Sequence, residues 1–219
     1  MKRDRIEKEI REDWFKDHVA EFEKLNDRVS TLDWGKPGSS FYYCRYVFDG
    51  SKLYISGDIG EAIFRLTEKA SIESITGYDI QYFHGKLASF CEDKYSFDSD
   101  TAIARIKEEI ESIKEDMDYD TDYDDNDNEV ETLADTDRNR KISNHISALN
   151  DLIEESHCCH SKGHWEYEVN QKYYDLTDYD PDVAEWIFSA GDVIPSRVHG
   201  YLIGLKMAYE QLKKKEVVS

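Results

Sequence analysis

The dipeptide Asp49-Gly50 constrains the fold of this sequence most strongly, because it stands between two stretches that favour strands. Residues 41–48 are rich in aromatic side chains and poor in helix formers, which is typical of a β-strand. Residues 52–56 alternate between aliphatic and more polar side chains, as a returning strand does. Asp-Gly suits a type I′ turn, whose two central residues both need a positive φ. The sequence therefore predicts a β-hairpin over about residues 41–56.

Apolar side chains recur at helical spacing in much of the remaining chain. The predicted helices cover residues 2–29, 61–68, 78–91, 101–117, 132–156, 181–189 and 195–215. Residues 30–40 are predicted to be a connection, and residues 166–174 alternate in the manner of a strand. At 219 residues, the chain is short enough for one domain. We therefore expect a single α+β domain over residues 1–219, with a small antiparallel sheet seeded by the hairpin and packed by several helices.

The most unusual stretch is the acidic run of residues 116–131, which carries nine acidic residues in sixteen positions and no basic residue. Like charges at this density oppose a regular helix, so we expect an extended or mobile loop. Because helices are predicted on both sides, residues 101–156 should form a projecting helical hairpin with this loop at its tip. In an extended loop, alternate side chains lie about 6.6–6.8 Å apart on one face. That is about half the linear charge density of one DNA strand, which has one phosphate per ~3.4 Å.

The formal net charge of the chain is −20. A field of this sign repels nucleic acid and anionic membranes and attracts basic surfaces. Direct nucleic-acid binding would need clustered Lys and Arg, and the dense basic runs at 138–141 and 213–215 are short. Removing the nine charges of the acidic run leaves −20 + 9 = −11, which indicates that acidity is spread over the whole protein. We therefore expect a basic protein as partner, and neither nucleic acid nor a membrane.

The motif Thr-Asp-Tyr-Asp occurs at 121–124 and again at 177–180, so the sequence has two acidic patches that contain tyrosine. Aromatic rings among carboxylates resemble the mixture of stacked bases and phosphates in nucleic acid, although charge runs are also typical of solvated loops. The candidate partner-binding residues are Asp116, Asp118, Tyr119, Asp120, Asp122, Tyr123, Asp124, Asp125, Asp127, Glu129, Asp178, Tyr179 and Asp180.

The segment 157–164, His-Cys-Cys-His-Ser-Lys-Gly-His, is the best candidate for a metal site. Zinc binds imidazole and thiolate groups in a tetrahedral arrangement, and the candidate ligands are His157, Cys158, His160 and His164. Adjacent residues cannot all point at one ion, and the sequence has no second pair of ligands at the required spacing. A structural role for the segment therefore stays open beside zinc binding.

Two blocks of the sequence carry a resemblance to a known family. The first block contains Trp34-Gly35-Lys36-Pro37-Gly38-Ser39-Ser40, Arg45-Tyr46 and Gly57-Asp58-Ile59-Gly60-Glu61-Ala62, and the second is Tyr201-Leu202-Ile203-Gly204-Leu205-Lys206-Met207-Ala208. They resemble acidic, uncharacterised proteins carried by bacteriophages and prophages. That family has no assigned catalytic residues, so none is carried over to this chain. The resemblance implies an origin in a mobile element and a role against host defences, similar to that of anti-CRISPR proteins.

Charge and resemblance together predict a phage-derived inhibitor that binds a basic, nucleic-acid-handling host defence protein, such as a CRISPR effector, by occlusion or nucleic-acid mimicry. No catalytic signature stands out, so we expect a binding protein. The alternatives are a metal-dependent enzyme that uses the 157–164 segment or the Asp58/Glu61 pair, and an oligomeric interaction protein that associates through its N-terminal helix. The first residues contain no long apolar run, and the four cysteines do not form a pattern typical of secreted proteins. We therefore expect the protein in the cytoplasm of the bacterial host.

Overall fold

The computed structural model describes residues 2–121 and 133–218, and side chains within residues 4–117 and 136–215. By its internal contacts the chain groups into two compact units. Residues 1–94 and 194–219 form the first, which we call the sheet unit, and residues 95–193 form the second, the helical unit. A six-stranded antiparallel sheet together with several helices confirms the α+β class. The single domain over residues 1–219 stays a prediction, because a grouping by contacts does not test it.

The described residues form both helices and strands. The chain begins with helix α1 (Lys2–Glu9) and a π-helical turn (Ile10–Trp14), followed by strands β1 (Val19–Lys24), β2 (Val29–Gly35), β3 (Cys44–Asp49), β4 (Lys52–Gly57) and β5 (Ala62–Arg65), helices α2 (Ile72–Thr76) and α3 (Ile80–Gly85) and strand β6 (Leu87–Phe90). The helical unit contains strand β7 (Ser96–Phe97), helices α4 (Ser99–Thr121), α5 (Leu133–Ser156), α6 (Lys162–Thr177) and α7 (Val183–Trp186), a 3₁₀ turn (Ile187–Ser189) and strand β8 (Asp192–Val193). Helix α8 (Ser196–Val218) returns to the sheet unit.

The predicted hairpin is confirmed as strands β3 and β4, which are neighbours in an antiparallel meander of order β1 to β6. Asp49 pairs with Lys52, so the two loop residues are Gly50 and Ser51. Of these two residues only Gly50 has a positive φ, at 60°. The type I′ prediction is therefore wrong, because that turn needs a positive φ at both central positions.

The inner face of the sheet is covered by α8. Alternate residues of the strands point to this face, as expected for a half-buried sheet, and Trp34 and Tyr46 are fully buried there. The Tyr46 hydroxyl donates to the carbonyl oxygen of Tyr201 in α8 at 3.1 Å. A Cβ atom at Gly204 would lie 2.6 Å from that hydroxyl oxygen, so the absence of a side chain lets α8 approach the sheet closely. Trp34, Tyr46 and α8 together form the centre of this core.

The prediction of one helix over residues 2–29 is wrong beyond Trp14. Residues 19–24 form β1, and residues 29–35, which were expected at the end of that helix and in the connection after it, form β2. Asn26 makes the turn between them, because its side-chain oxygen accepts the backbone N–H groups of Arg28 and Val29. The apolar spacing of this segment also fits a helix. In the structure, however, every residue of β1 pairs with β2, so the backbone hydrogen bonds form within the sheet.

Two further helix predictions in the sheet unit are corrected. Residues 62–65, expected in a helix over 61–68, form β5 and pair with β4. Residues 87–90, at the end of the helix expected over 78–91, form the edge strand β6 and pair with β5. Gly60 has a φ of 103°, so the turn after β4 returns the chain into the sheet where a helix was expected to begin.

The helical unit contains the two long helices predicted around the acidic run. Helix α4 buries the predicted apolar residues Ile106, Ile110 and Ile113, and α5 buries Ile142 and Leu149. Met117, also expected on the apolar face of α4, is exposed. Asp98 caps α4, since its carboxylate accepts the backbone N–H of Thr101 at 2.9 Å.

Helix α6 corrects the strand that we expected over residues 166–174. Its buried side chains, Trp165, Val169 and Leu176, recur at spacings of four and seven residues. Ser161 caps the helix by accepting the backbone N–H of His164, a start signal that the sequence interpretation did not use.

Candidate functional site

The whole net charge of the protein resides in the helical unit. Residues 95–193 contain 28 Asp and Glu against 8 Lys and Arg, which gives a formal charge of 8 − 28 = −20. The sheet unit contains the remaining 20 acidic and 20 basic residues and has a formal charge of zero. The expectation that acidity is spread over the whole chain is therefore wrong. One compact unit is a strong polyanion, and the other is neutral.

At least four of the eight Lys and Arg residues of the helical unit are paired within it. Four form ion pairs with carboxylates of the same unit: Arg140 with Asp137 at 2.6 Å, Lys141 with Asp178 at 3.3 Å, Lys162 with Asp192 at 2.6 Å and Lys172 with Asp151 at 2.5 Å. The hydrogen bond from Arg140 lowers the pKa of Asp137, and the hydrogen bond to Asp151 raises the pKa of Lys172. These pairs offset only a small part of the acidic charge, because the unit contains 28 − 8 = 20 more acidic than basic residues.

An acidic stripe runs along α4. Glu108, Glu111 and Glu115 are exposed and follow one another at spacings of three and four residues, so they share one face of the helix. The structure gives none of these three an ion pair with a described residue. With a rise of about 1.5 Å per residue, the stripe presents one carboxylate every ~5 Å. One DNA strand presents a phosphate every ~3.4 Å of its axis, so the stripe approaches that spacing.

Most of the predicted partner-binding residues lie at or beyond the end of α4. Asp116 is exposed on the helix. The backbone of Asp118, Tyr119 and Asp120 continues α4, contrary to the loop expected from residue 116 onwards, and the described residues do not include the side chains of these three. The other six predicted residues of the run lie outside the described residues: Asp122, Tyr123, Asp124, Asp125, Asp127 and Glu129.

The second predicted patch, Asp178 to Asp180, is part of the local structure of the helical unit. Asp178 ends α6 and pairs with Lys141. Tyr179 is half-buried, with its ring centroid 5.3 Å from that of the buried His145. Asp180 accepts the backbone N–H of Asp182 at 2.9 Å before the next helical turn. All three side chains therefore have contacts within the unit.

The candidate metal ligands are not brought together. His157, Cys158 and His160 are exposed in the connection after α5, and His164 lies on the first turn of α6, 3.4 Å from a carboxylate oxygen of Glu168. Among the described residues, no group of three His, Cys, Asp or Glu side chains has an arrangement that could hold a metal ion. In the alternative carboxylate pair, Asp58 accepts the backbone N–H of Tyr42 at 2.8 Å and so stabilises the neighbouring loop.

Two exposed tyrosines on α6 are absent from the binding residues that the sequence predicted. Tyr167 is 59% exposed and Tyr174 is 76% exposed, which is unusual for large aromatic side chains. The predicted strand over residues 166–174 used Tyr167 as an apolar position of one face, so this side chain was expected to be buried and not exposed. The spacing of seven residues between the two, with the polar Gln171 between them, is the signal of a shared helix face.

No helix in the described ranges, 2–121 and 133–218, combines the length and the apolar character needed to cross a bilayer. Comparison of the chain with protein-family models, with curated proteins and with solved structures found no match.

Proposed function

We propose that this protein is a phage-derived inhibitor whose helical unit binds the nucleic-acid-binding surface of a basic host defence protein, such as a CRISPR effector. The inhibitor blocks that surface and so competes with nucleic acid. The confinement of the whole charge of −20 to residues 95–193 is the observation that carries the proposal. The phage setting is supported by the resemblance of the two sequence blocks described above.

A polyanionic unit beside a neutral one has a physical consequence for association. The negative electrostatic potential of the helical unit attracts cationic surfaces and accelerates its association with a basic protein at low salt. A neutral sheet unit adds no repulsion or attraction of its own at long range. The partner is therefore expected to meet the helical unit first.

The acidic stripe on α4 supports competition with nucleic acid. Groups that bind phosphates in a basic groove are Lys and Arg side chains, and the same groups pair with carboxylates. Glu108, Glu111 and Glu115 stand at spacings of about 4.5 and 6 Å along the helix, close enough for neighbouring cations of such a groove to engage them together.

The test begins with capture of bacterial lysate proteins by the whole protein at 50 and 500 mM NaCl. Proteins released by salt are then assayed for binding in competition with their nucleic acid. The variant Glu108→Gln/Glu111→Gln/Glu115→Gln should bind the captured protein about tenfold more weakly at 50 mM NaCl, since exposed ion pairs contribute about 0.2–1 kcal/mol each. Its affinity should also depend less steeply on salt.

The matched control neutralises three exposed acids of the sheet unit, Glu21→Gln/Glu23→Gln/Glu61→Gln, and changes the net charge by the same amount. It should leave affinity within about twofold, because these three charges do not belong to the proposed binding unit and make no direct contact with the partner. Equal loss in both variants, or no loss in the first, would overturn the proposal. Asp→Asn replacement throughout residues 116–131 provides a second variant for the same assay.

A further inference from the structure

We infer that the outward face of α6 binds arginine side chains of the basic partner, with Tyr167 and Tyr174 as stacking platforms. This inference rests on the proposed function and adds to it a residue type on the partner and a second contact surface. The α6 face is defined here as Tyr167, Gln171 and Tyr174.

The two tyrosines point away from the core of the helical unit. Tyr167 follows the buried Trp165 by two residues, and Tyr174 precedes the buried Leu176 by two. Two residues correspond to a rotation of about 200° around a helix, so both rings lie opposite the packed side. Their exposed fractions of 59% and 76% agree with this placement. The backbone positions of the two tyrosines are about 10.5 Å apart along the helix axis.

Other large side chains of α6 have partners within the unit. The Tyr173 ring centroid lies 6.2 Å from that of Phe188, and the Trp165 indole donates to the carbonyl oxygen of Ile187 at 2.9 Å. The structure therefore uses the aromatic residues on the packed side and at the flank for stability. It leaves the two rings of the α6 face exposed.

The three residues of the α6 face include no cation, and Arg140 of α5, which interacts electrostatically with Tyr174, is paired with Asp137. The two lysines of this helix pair at its sides, Lys162 with Asp192 and Lys172 with Asp151. Asp175 beside Tyr174 is exposed. A ring within a unit of charge −20 attracts a cation both through its π-system and through the surrounding field. A second copy of the same unit is repelled by that field, so self-association through this face is disfavoured.

Arginine fits this face better than lysine does. The planar guanidinium stacks on aromatic rings and loses its hydration more readily than an ammonium group. The helical unit already contains one such contact, since the guanidinium of Arg105 lies 5.0 Å from the ring centroid of Trp186. Two arginines seven residues apart on a partner helix have the same axial spacing as Tyr167 and Tyr174.

The experiment compares two helical peptides of equal charge, one with arginine at two positions seven residues apart and one with lysine there. Binding of each to the whole protein is measured by fluorescence anisotropy at 50 mM NaCl. The arginine peptide should bind severalfold more tightly, because the planar guanidinium stacks on each ring and is more weakly hydrated than an ammonium group. The variant Tyr167→Ser/Tyr174→Ser should lose this preference and bind the two peptides equally.

Two controls separate stacking from other effects. Tyr167→Phe/Tyr174→Phe keeps both rings and should keep the preference. Phe41→Ser removes a 74% exposed ring of the sheet unit and should also keep it. Equal binding of the two peptides, or a preference that survives in the double serine variant, overturns the arginine inference and leaves the proposed function standing. Binding of neither peptide overturns both.

Discussion

The side-chain oxygen of Gln211 in α8 accepts the backbone N–H of Ala20 in β1 at 3.2 Å, although 191 positions separate the two residues. The amide nitrogen of Gln211 also donates to the carbonyl oxygen of His18 at 2.7 Å. Strand β1 is an edge strand, whose outward backbone groups have no strand partner. Gln211 therefore closes the first part of this edge and ties the last helix to the first strand.

Replacement of Gln211 by alanine should lower the free energy of unfolding by about 1–3 kcal/mol, because two backbone groups lose their partner. Urea denaturation measures this change. Gln171→Ala, at an exposed position of α6, is the control and should change the free energy by no more than about 0.5 kcal/mol. Equal effects of the two substitutions would contradict the edge-closing role of Gln211.

Gly57 at the end of β4 should not tolerate a side chain. Its φ is 141°, and a Cβ atom there would lie 2.2 Å from the carbonyl oxygen of Tyr43. Gly57→Ala should therefore cost about 3 kcal/mol or more, since backbone strain and a steric clash add. Gly38 also has a positive φ, at 77°, but has open space around it, so Gly38→Ala should cost only about 1–2 kcal/mol. Denaturation curves that rank the two variants the other way would refute this account.

His18 should make the stability of the sheet unit depend on pH. Its side chain is 4% exposed, and burial lowers its pKa below the ordinary value of 6.5. At a pH well above 6.5 the imidazole is neutral in both the folded and the unfolded state. As the pH falls through 6.5, His18 binds a proton in the unfolded chain but stays neutral in the folded chain. The free energy of unfolding therefore decreases until the pH reaches the lower pKa that His18 has in the folded state.

His18→Gln should therefore reduce the loss of stability between pH 7 and pH 5, as measured by urea denaturation at each pH. His160→Gln, at an exposed position, serves as the control and should leave the pH dependence of wild type unchanged. If both variants follow the wild-type curve, buried His18 is not a source of the pH dependence.

Salt should stabilise the helical unit. Its charge of −20 opposes the compact state by self-repulsion, and the Debye length shortens from about 30 Å at 0.01 M to about 3 Å at 1 M ionic strength. The midpoint of thermal unfolding, followed by circular dichroism, should rise as NaCl is added. The Glu108→Gln/Glu111→Gln/Glu115→Gln variant should show a smaller rise. A midpoint that is independent of salt would mean that ion pairs already balance the self-repulsion.

The sequence predicted the parts of the fold that depend on local signals. Asp49-Gly50, between an aromatic-rich stretch and an alternating one, located the β3–β4 hairpin, and the apolar spacing around Ile106 and Leu149 located α4 and α5. Strand β1 was missed because its apolar residues also fit helical spacing, and only pairing with β2 distinguishes the two. Strand β5 was missed in the same way, since its ladder partners lie on β4 and β6. Both strands depend on pairing between residues far apart in the chain, and a single sequence contains no direct signal of such pairing.

The candidate site was predicted less completely than the fold. Net charge and the acidic run were evident from composition, but the division into a neutral and an acidic unit depends on which residues share a core. Tyr179 was expected on a free surface, whereas its ring lies against His145. Tyr174 could be recognised as exposed only once α6 was known to be a helix.

Because residues 95–193 interrupt the sheet unit, ribosomal synthesis separates the two halves of its core in time. At about 5–20 residues per second, α8 emerges roughly 5–20 s after β6 is complete. During that interval the nascent sheet lacks the helix that covers its inner face, while the polyanionic insertion is already outside the ribosome and keeps the unfinished chain repelled from its neighbours.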